Sequence, residues 1–196
     1  MISQRSILVL ASASPRRLQL LEQIGIKPSR VAPADIDESV LPKELPRAHA
    51  LRIATHKAKA VHARLSPGER AVILAADTVV ACGRRILPKA EDDATVTKCL
   101  ALLSGRRHTV TTAVAVIDVD ARLRTRIVET KVAFRRLESS EIAHYANEGE
   151  GLGKAGGYAI QGRAAIFART INGSYSNVVG LPLTETFHLL KACGAV

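Results

Sequence analysis

The run AVILAADTVV, residues 71–80, decides the fold that the sequence predicts. Its first six residues are all apolar, which is typical of a strand buried on both faces in a sheet covered by helices. Asp77 interrupts the run, and a buried carboxylate is costly unless it is paired, bound to a metal or placed at a strand end that faces a cleft. Because ligands of α/β proteins bind beyond the carboxyl ends of strands, we interpret Asp77 as a functional residue. The alternative is that Asp77 simply ends the strand and caps a turn.

An earlier apolar run leads into a helix. Residues 6–11 predict a strand, and the helix that follows begins at Ser14, a good N-cap, with Pro15 at its first position. Arg16 and Arg17 then fall in the first turn, where the helix dipole disfavours cations. Backbone N–H groups, serine hydroxyls and guanidinium groups that converge on one point form an anion site, and a phosphate would reverse the penalty. A basic surface turn on an ordinary helix is the alternative.

The hydrophobic pattern predicts alternating helices and strands, and then paired strands. The predicted helices are 14–25, 46–65, 92–103, 139–147 and 183–192, and the predicted strands are 6–11, 29–33, 71–76, 107–118 and 124–136, with strand-like pieces between 158 and 170. An acidic loop lies at 35–38 and a glycine-rich loop at 149–157. This order predicts an α/β fold with a mixed sheet, in a single domain over residues 1–196.

The composition indicates a globular protein with an anionic partner. Hydrophobic residues make up 47% of the chain, but no apolar run approaches the roughly 20 residues of a membrane-spanning helix, so we expect no membrane partner. The net charge of +10 suggests nucleic acid, acidic lipid or a polyphosphate. Aromatic residues are only 3%, which disfavours binders that stack bases and favours phosphate contacts, so we expect no stable nucleic-acid complex. A solvated basic surface explains the charge equally well.

The three cysteines, Cys82, Cys99 and Cys193, are far apart and form no CxxC pair. This disfavours a disulfide framework or a zinc site and predicts reduced thiols in a cytoplasmic protein. The histidines show no metal-ligand spacing such as HExxH.

Several polar residues lie where they could serve a polyphosphate ligand. Glu38 of the acidic loop could share one divalent cation with Asp77, because Mg²⁺ prefers carboxylates plus phosphate oxygens. Lys57 flanks the apolar face of its helix, and Lys89 follows the Asp77 strand in a loop. The glycine-rich loop lacks the spacing of a P-loop, but the nearby Gln161 has an amide suited to reading a base edge. A solvated loop carboxylate and a plain hairpin turn are the alternatives.

Four motifs occur in order along the chain: SASPRR (12–17), AADTVV (75–80), KAGGYAIQG (154–162) and INGSYSNVVGLPLTET (171–186). Together they closely resemble the Maf family of nucleoside triphosphate pyrophosphatases, over nearly the whole chain. The resemblance implies an elongated mixed β-sheet flanked by helices, with two lobes around a cleft, similar to inosine triphosphatase. It also implies hydrolysis of a nucleoside triphosphate to the monophosphate and pyrophosphate, with Mg²⁺ or Mn²⁺ as cofactor.

The resemblance further implies roles for individual residues. Asp77 would be the catalytic proton acceptor and, with Glu38, a metal ligand. The implied substrate-binding residues are Ser12, Arg16, Arg17, Lys57, Lys89, Thr78 and Gln161. The branch that acts on dTTP and UTP has Arg, Thr and Gln at three specificity positions, which here are Arg16, Thr78 and Gln161. The chain therefore resembles the pyrimidine branch, with a role in housecleaning of the nucleotide pool.

Other functions stay open at this point. The first alternatives are a 7-methyl-GTP or broad-specificity pyrophosphatase. A further one is a non-catalytic basic protein that binds nucleic acid or regulates cell division. Steep salt dependence toward polynucleotides, without metal-dependent pyrophosphate release, would indicate such a binder. The sequence leaves a homodimer open as well.

Overall fold

A seven-stranded mixed sheet forms the centre of the molecule. The computed structural model describes residues 6–196. The strands are β1 (Ile7–Leu10), β2 (Arg30–Val31), β3 (Ala71–Cys82), β4 (Arg85–Leu87), β5 (Arg107–Ile117), β6 (Leu123–Phe134) and β7 (Ala168–Asn172). The helices are α1 (Pro15–Gln23), α2 (Pro46–His62), α3 (Asp93–Leu103), α4 (Ser139–Asn147), α5 (Tyr175–Val179) and α6 (Leu183–Ala192).

The sheet has the strand order β2-β1-β3-β5-β6-β7, with β4 paired to β3. The β1 strand runs parallel to β2 and β3, and the other pairs are antiparallel. The predicted α/β class with a mixed sheet flanked by helices is therefore confirmed.

Helices cover both faces of β3, as its apolar run predicts. Val72 and Leu74 belong to the larger core cluster, while Ile73 and Ala75 belong to a smaller cluster with residues of α2. Neighbouring residues of a strand point to opposite faces, so a strand with both faces covered needs an unbroken apolar sequence. The sheet thus lies between two apolar layers.

The β3 strand is longer than predicted, and this decides the alternatives for Asp77. The strand has 12 residues, and Asp77 lies in its middle, opposite Ala113 of β5. Its side chain is buried, with the residue only 4% exposed. The interpretation of Asp77 as a strand-ending turn residue is therefore wrong, because β5 continues to pair with β3 beyond this point.

One edge of β3 is left without a neighbouring strand in its middle. The pairing with β1 ends at Leu74, and the pairing with β4 begins at Val80. Between these two residues the sheet has a crevice, and side chains from both faces of β3 can reach it. Such gaps next to strand ends are where α/β folds bind ligands.

Several short elements differ from the prediction. Residues 158–167 form turns and a 3₁₀-helix (Arg163–Phe167), so the expected strand-like structure there is wrong, and only Ala168–Asn172 is a strand. The 3₁₀-helix is favoured because Glu150 accepts a hydrogen bond from the Arg163 backbone N–H at its start. The short β4 and α5 were not predicted.

None of the helices within residues 6–196 is both long and apolar enough to cross a membrane. The three cysteines are free thiols, as expected.

Candidate active site

A cavity of about 380 Å³ opens at the crevice beside β3. This volume falls in the range of small-molecule sites. Eight of the nine residues implied as functional line it: Ser12, Arg16, Arg17, Glu38, Lys57, Asp77, Thr78 and Lys89. Residues separated by more than 70 positions in the sequence thus meet at one place.

An ion-pair network connects the carboxylates on the α2 side of the cavity. Lys57 Nζ lies 2.9 Å from Asp77 Oδ1 and 2.8 Å from Glu38 Oε1. Lys89 Nζ binds the other Glu38 oxygen. Lys57 comes from the apolar face of α2, and its residue is only 7% exposed. The buried ammonium group therefore lies between the two carboxylates and compensates the charge of both.

The charge state of Glu38 follows from these contacts. Partial burial disfavours its ionised form, but the hydrogen bonds from Lys57 and Lys89 outweigh that effect and lower the pKa of Glu38 to about 2. Glu38 is consequently an anion at neutral pH.

Arg17 is a buried cation whose side-chain hydrogen-bond partners in the described part of the chain are all neutral. Its guanidinium donates to the Gly180 carbonyl (2.9 Å), the Ser12 hydroxyl (3.0 Å) and the Thr78 hydroxyl (3.1 Å). Burial lowers the pKa of Arg17, and Asp77 opposes that shift. A buried charge without a bonded counter-ion is costly, so the arrangement favours an anionic ligand.

Two further cations lie at the cavity without a carboxylate partner among the described residues. The Arg16 side chain makes no hydrogen bond to the rest of residues 6–196, and burial lowers the pKa of its guanidinium. Lys154 donates only to the Leu152 carbonyl, and burial followed by repulsion from Arg16 lowers its pKa. A polyanion would relieve this repulsion. Lys154 was not singled out from the sequence, although its place in the KAGG motif could have indicated it.

The start of α1 differs in one detail from the prediction. Ser14 is the N-cap residue, as predicted, and has the extended backbone of that position, but its side chain makes no capping hydrogen bond. Ser12 explains the difference, because its hydroxyl accepts from the Ser14 N–H at 3.2 Å and from Arg17. Pro15 begins the helix, as predicted. No side chain from residues 6–196 caps the first turn, so a ligand can approach it.

Gln161 is the one implied residue that does not line the cavity. It is exposed in the turn that precedes the 3₁₀-helix, while Tyr158 of the same motif is buried and lines the cavity wall. Its role as a base reader stays a prediction.

A second network fixes the acidic loop that carries Glu38. Arg52 of α2 forms hydrogen bonds to Glu44 Oε1 (2.6 Å) and Oε2 (2.7 Å), and donates to the Ser39 carbonyl at 2.8 Å. The bond from Arg52 is the main reason that the pKa of Glu44 falls to about 2. Because Ser39 follows Glu38 directly, the bond from Arg52 holds the loop that carries Glu38 against α2.

A family model described as Maf-like protein matches residues 7–193. The chain belongs to the Maf family. Among curated relatives, the Maf protein named dTTP/UTP pyrophosphatase in Caulobacter vibrioides is 59% identical, and the match covers 95% of both chains. A protein with the same name in Paramagnetospirillum magneticum is 60% identical, with 96% of this chain and 98% of the relative covered.

Solved structures include a similar chain as well. A nucleoside-triphosphatase (dITP/XTP pyrophosphatase) from Mycobacterium abscessus is 18% identical, with a TM-score of 0.43 and coverage of 96% of this Maf chain and 94% of that one.

The two carboxylates of this Maf chain fit a hard divalent cation. Glu38 and Asp77 both bind one Lys57 ammonium, so their oxygens already converge on a single positive charge. Within residues 6–196, no group of three or more His, Cys, Asp or Glu side chains could hold a metal. Mg²⁺ is commonly bound by one or two carboxylates, with water and substrate phosphates as the other ligands.

Proposed function

We propose that this Maf chain is a nucleoside triphosphate pyrophosphatase that converts dTTP and UTP to the monophosphate and pyrophosphate. The observation that carries the proposal is the buried Asp77, placed at a cavity whose remaining charged groups are mostly cations. Relatives of 59% and 60% identity over nearly their full length are named dTTP/UTP pyrophosphatase, which supports the substrate.

The cations around the cavity would bind the phosphate groups of the substrate. Within residues 6–196, the side chains of Arg16 and Lys154 have no bonded carboxylate, so they are available for a triphosphate. Lys89 contacts the second carboxylate oxygen of Glu38, and its side chain is exposed. It can therefore move to contact a bound triphosphate. Their positive charge would stabilise the negative charge that develops on departing pyrophosphate, and such positioned charges supply much of the catalysis in phosphoryl transfer.

The reaction step uses Asp77 as the proton acceptor. A water oxygen forms a bond to the α-phosphorus, the bond from that phosphorus to the bridging oxygen breaks, and the bridging oxygen leaves with pyrophosphate. The water proton goes to Asp77. Lys57 holds Asp77 Oδ1 at 2.9 Å, while Oδ2 has no hydrogen-bond partner within residues 6–196 and can accept the proton.

A divalent cation, Mg²⁺ or Mn²⁺, would be held by Glu38 and Asp77 together with oxygens of the substrate. When bound, it would neutralise phosphate charge and polarise the phosphoryl group. Lys57 already holds both carboxylates close together, so the two metal-binding side chains are in position before a metal ion binds.

A nucleotide panel tests the proposal. The purified chain is incubated with dTTP, UTP, CTP, GTP and 7-methyl-GTP and with either metal, and the products are separated. We expect pyrophosphate and monophosphate from dTTP and UTP above all. In water labelled with heavy oxygen, the label should enter the monophosphate. Release of inorganic phosphate and a diphosphate, or label in pyrophosphate, would contradict the proposal. A cytoplasmic location and a homodimer stay predictions.

A further inference from the structure

We propose that two loops of the cavity wall, residues 88–90 and 153–156, are paired into one unit that holds Lys89 and Lys154 for the phosphates that leave as pyrophosphate. We name this unit the lysine clasp. Gly156 is its positioning residue, because it sets where the paired loops lie. The proposal rests on the proposed function, since pyrophosphate is the product of that reaction. It gives the glycines of the KAGG motif a role at the site.

Backbone hydrogen bonds join the two loops of the lysine clasp. Lys89 lies directly opposite Ala155 in a short antiparallel bridge. The bonds around this bridge run from the Ala90 N–H to the Lys154 carbonyl (3.1 Å), from the Gly153 N–H to the Ala90 carbonyl (2.7 Å) and from the Gly156 N–H to the Pro88 carbonyl (3.0 Å). The backbone positions of Lys89 and Lys154 are therefore tied to each other, although 64 residues separate them in the sequence.

The two lysine side chains of the clasp serve different sides of the cavity. Lys89 Nζ contacts Glu38, whereas Lys154 lies within the field of Arg16, whose repulsion adds to burial in lowering the pKa of Lys154. Both lysines line the cavity. Asp77 is bound by a different lysine, from α2, so the clasp lysines are free to serve phosphate groups. Pyrophosphate has two adjacent phosphate groups, which match two cations held by one paired backbone.

Gly156 allows the lysine clasp to lie close against the sheet. It is buried, and a Cβ added to it would lie 2.8 Å from Val80 Cγ1, closer than real Cβ atoms approach a neighbour. Its φ of +70° also lies in the left-handed region that favours glycine. Val80 belongs to β3 and pairs with Leu87, the residue before Pro88 of the other loop. A side chain at position 156 would therefore push one loop of the clasp away from the strand that supports the other.

An alanine at position 156 tests the role of this close packing. In Gly156→Ala, the added methyl group has to move the loop away from Val80, and the hydrogen bond to the Pro88 carbonyl should weaken. Lys154, two residues earlier, then loses its fixed position. We expect the affinity for inorganic pyrophosphate to fall roughly 10- to 100-fold, the effect of losing one hydrogen bond to a charged group.

The matched control is Gly153→Ala, in the same loop of the lysine clasp. Gly153 has nearly the same φ, +68°, so an alanine there carries the same backbone strain as one at position 156. Within residues 6–196, however, no atom beyond its chain neighbours lies within 4 Å of the Cβ that an alanine would add. The N–H that bonds to the Ala90 carbonyl is retained. We expect Gly153→Ala to bind pyrophosphate nearly as well as the wild type.

A double-mutant cycle with Lys154→Met separates positioning from a general loss of structure. In the wild type, Lys154→Met removes one of the two clasp cations and should weaken the binding of pyrophosphate. In Gly156→Ala the lysine is already displaced, so the addition of Lys154→Met should have little further effect. In the Gly153→Ala control the lysine keeps its position, and Lys154→Met should have its full effect.

The experiment titrates each protein with inorganic pyrophosphate in a calorimeter at a fixed Mg²⁺ concentration, with the melting temperature measured on the same sample. A loss of affinity in Gly156→Ala but not in Gly153→Ala, to which Lys154→Met adds little, supports the lysine clasp. No pyrophosphate binding by the wild type, equal affinities of the two alanine variants, or additive losses in Gly156→Ala and Lys154→Met would overturn it.

A second variant covers the case in which Gly156→Ala does not fold. Val80→Ile adds one methyl group on the strand side of the same contact. Weaker pyrophosphate binding in Val80→Ile supports the lysine clasp, and wild-type binding overturns it. Failure of the proposed function is seen separately, as a lack of pyrophosphate release from dTTP, because the titration needs no turnover.

Discussion

Lys57 Nζ lies 2.9 Å from Asp77 Oδ1, and both side chains are almost completely buried. The ammonium also contacts Glu38, so one cation compensates two carboxylates. This pair links the helix that covers the sheet to the strand that carries the proposed catalytic group.

Replacing Lys57 should therefore cost both stability and activity. In Lys57→Met, Asp77 is left as a buried charge without its partner, and breaking such a pair typically costs about 3–5 kcal/mol. Urea unfolding measures the change in the free energy of unfolding. The matched control is Lys59→Met, an exposed lysine of the same helix, which should leave stability nearly unchanged. Equal stability of the two variants would contradict the assigned role of Lys57.

Protonation of the Glu38 carboxylate should lower the stability of the protein in acid. Its pKa is about 2 in the folded chain, against an ordinary value of 4.5. Its contribution is therefore fully present above pH 4.5 and is lost as the pH falls toward 2, because the unfolded chain takes up the proton first. The free energy of unfolding, measured between pH 6 and pH 3, should fall less steeply in Glu38→Gln than in the wild type. Glu91→Gln, at an exposed position, is the control and should follow the wild type.

Arg17 and Arg16 should respond differently to replacement by lysine. Arg17 donates three hydrogen bonds from a rigid fork, which a lysine ammonium cannot reproduce. Arg17→Lys should lower kcat/KM for dTTP by roughly 10- to 100-fold, the effect of losing one or two bonds from a charged group. Arg16 makes no such bonds, and Arg16→Lys keeps its charge, so its loss should be smaller. A larger loss in Arg16→Lys would contradict this division of roles.

Replacing Arg52 should raise the metal concentration that the enzyme needs for activity. In Arg52→Gln, the Ser39 carbonyl loses its bond to α2 and Glu44 keeps only its contact with His49, so the loop that carries Glu38 loosens. We expect a higher Mn²⁺ concentration for half-maximal activity, by about 3- to 10-fold, with kcat at saturating metal less affected. Arg47→Gln removes an exposed ion pair from the same helix and is the control. An unchanged metal requirement in Arg52→Gln would show that the loop does not depend on this contact.

The sequence predicted the sheet class and the buried strand that carries Asp77 because both depend on local patterns. The apolar run before Asp77 indicated a strand covered on both faces, and β3 has that environment. The helix start at Pro15 follows from the fixed backbone of proline. Both features could be recognised without knowledge of distant contacts.

The remaining features depend on contacts between distant parts of the chain. Arg17 bonds to Gly180, which lies 163 residues away, and no local pattern indicates that pairing. Thr112 looks like any threonine of a buried strand until its neighbours Thr78 and Asn177 are known. The α5 helix is too short for a periodic pattern, and Ser174 with its side-chain cap is its main local signal.

Asp77 is proposed to accept the proton from the attacking water, and the turnover of the Asp77→Asn variant tests this role most directly. Asparagine keeps the shape but cannot act as the base, so with dTTP and saturating metal we expect kcat to fall by at least ~10²–10⁴-fold, the usual effect of losing a general base. The melting temperature, measured on the same sample, shows whether the variant is folded. A folded Asp77→Asn variant with near-normal kcat would contradict the account.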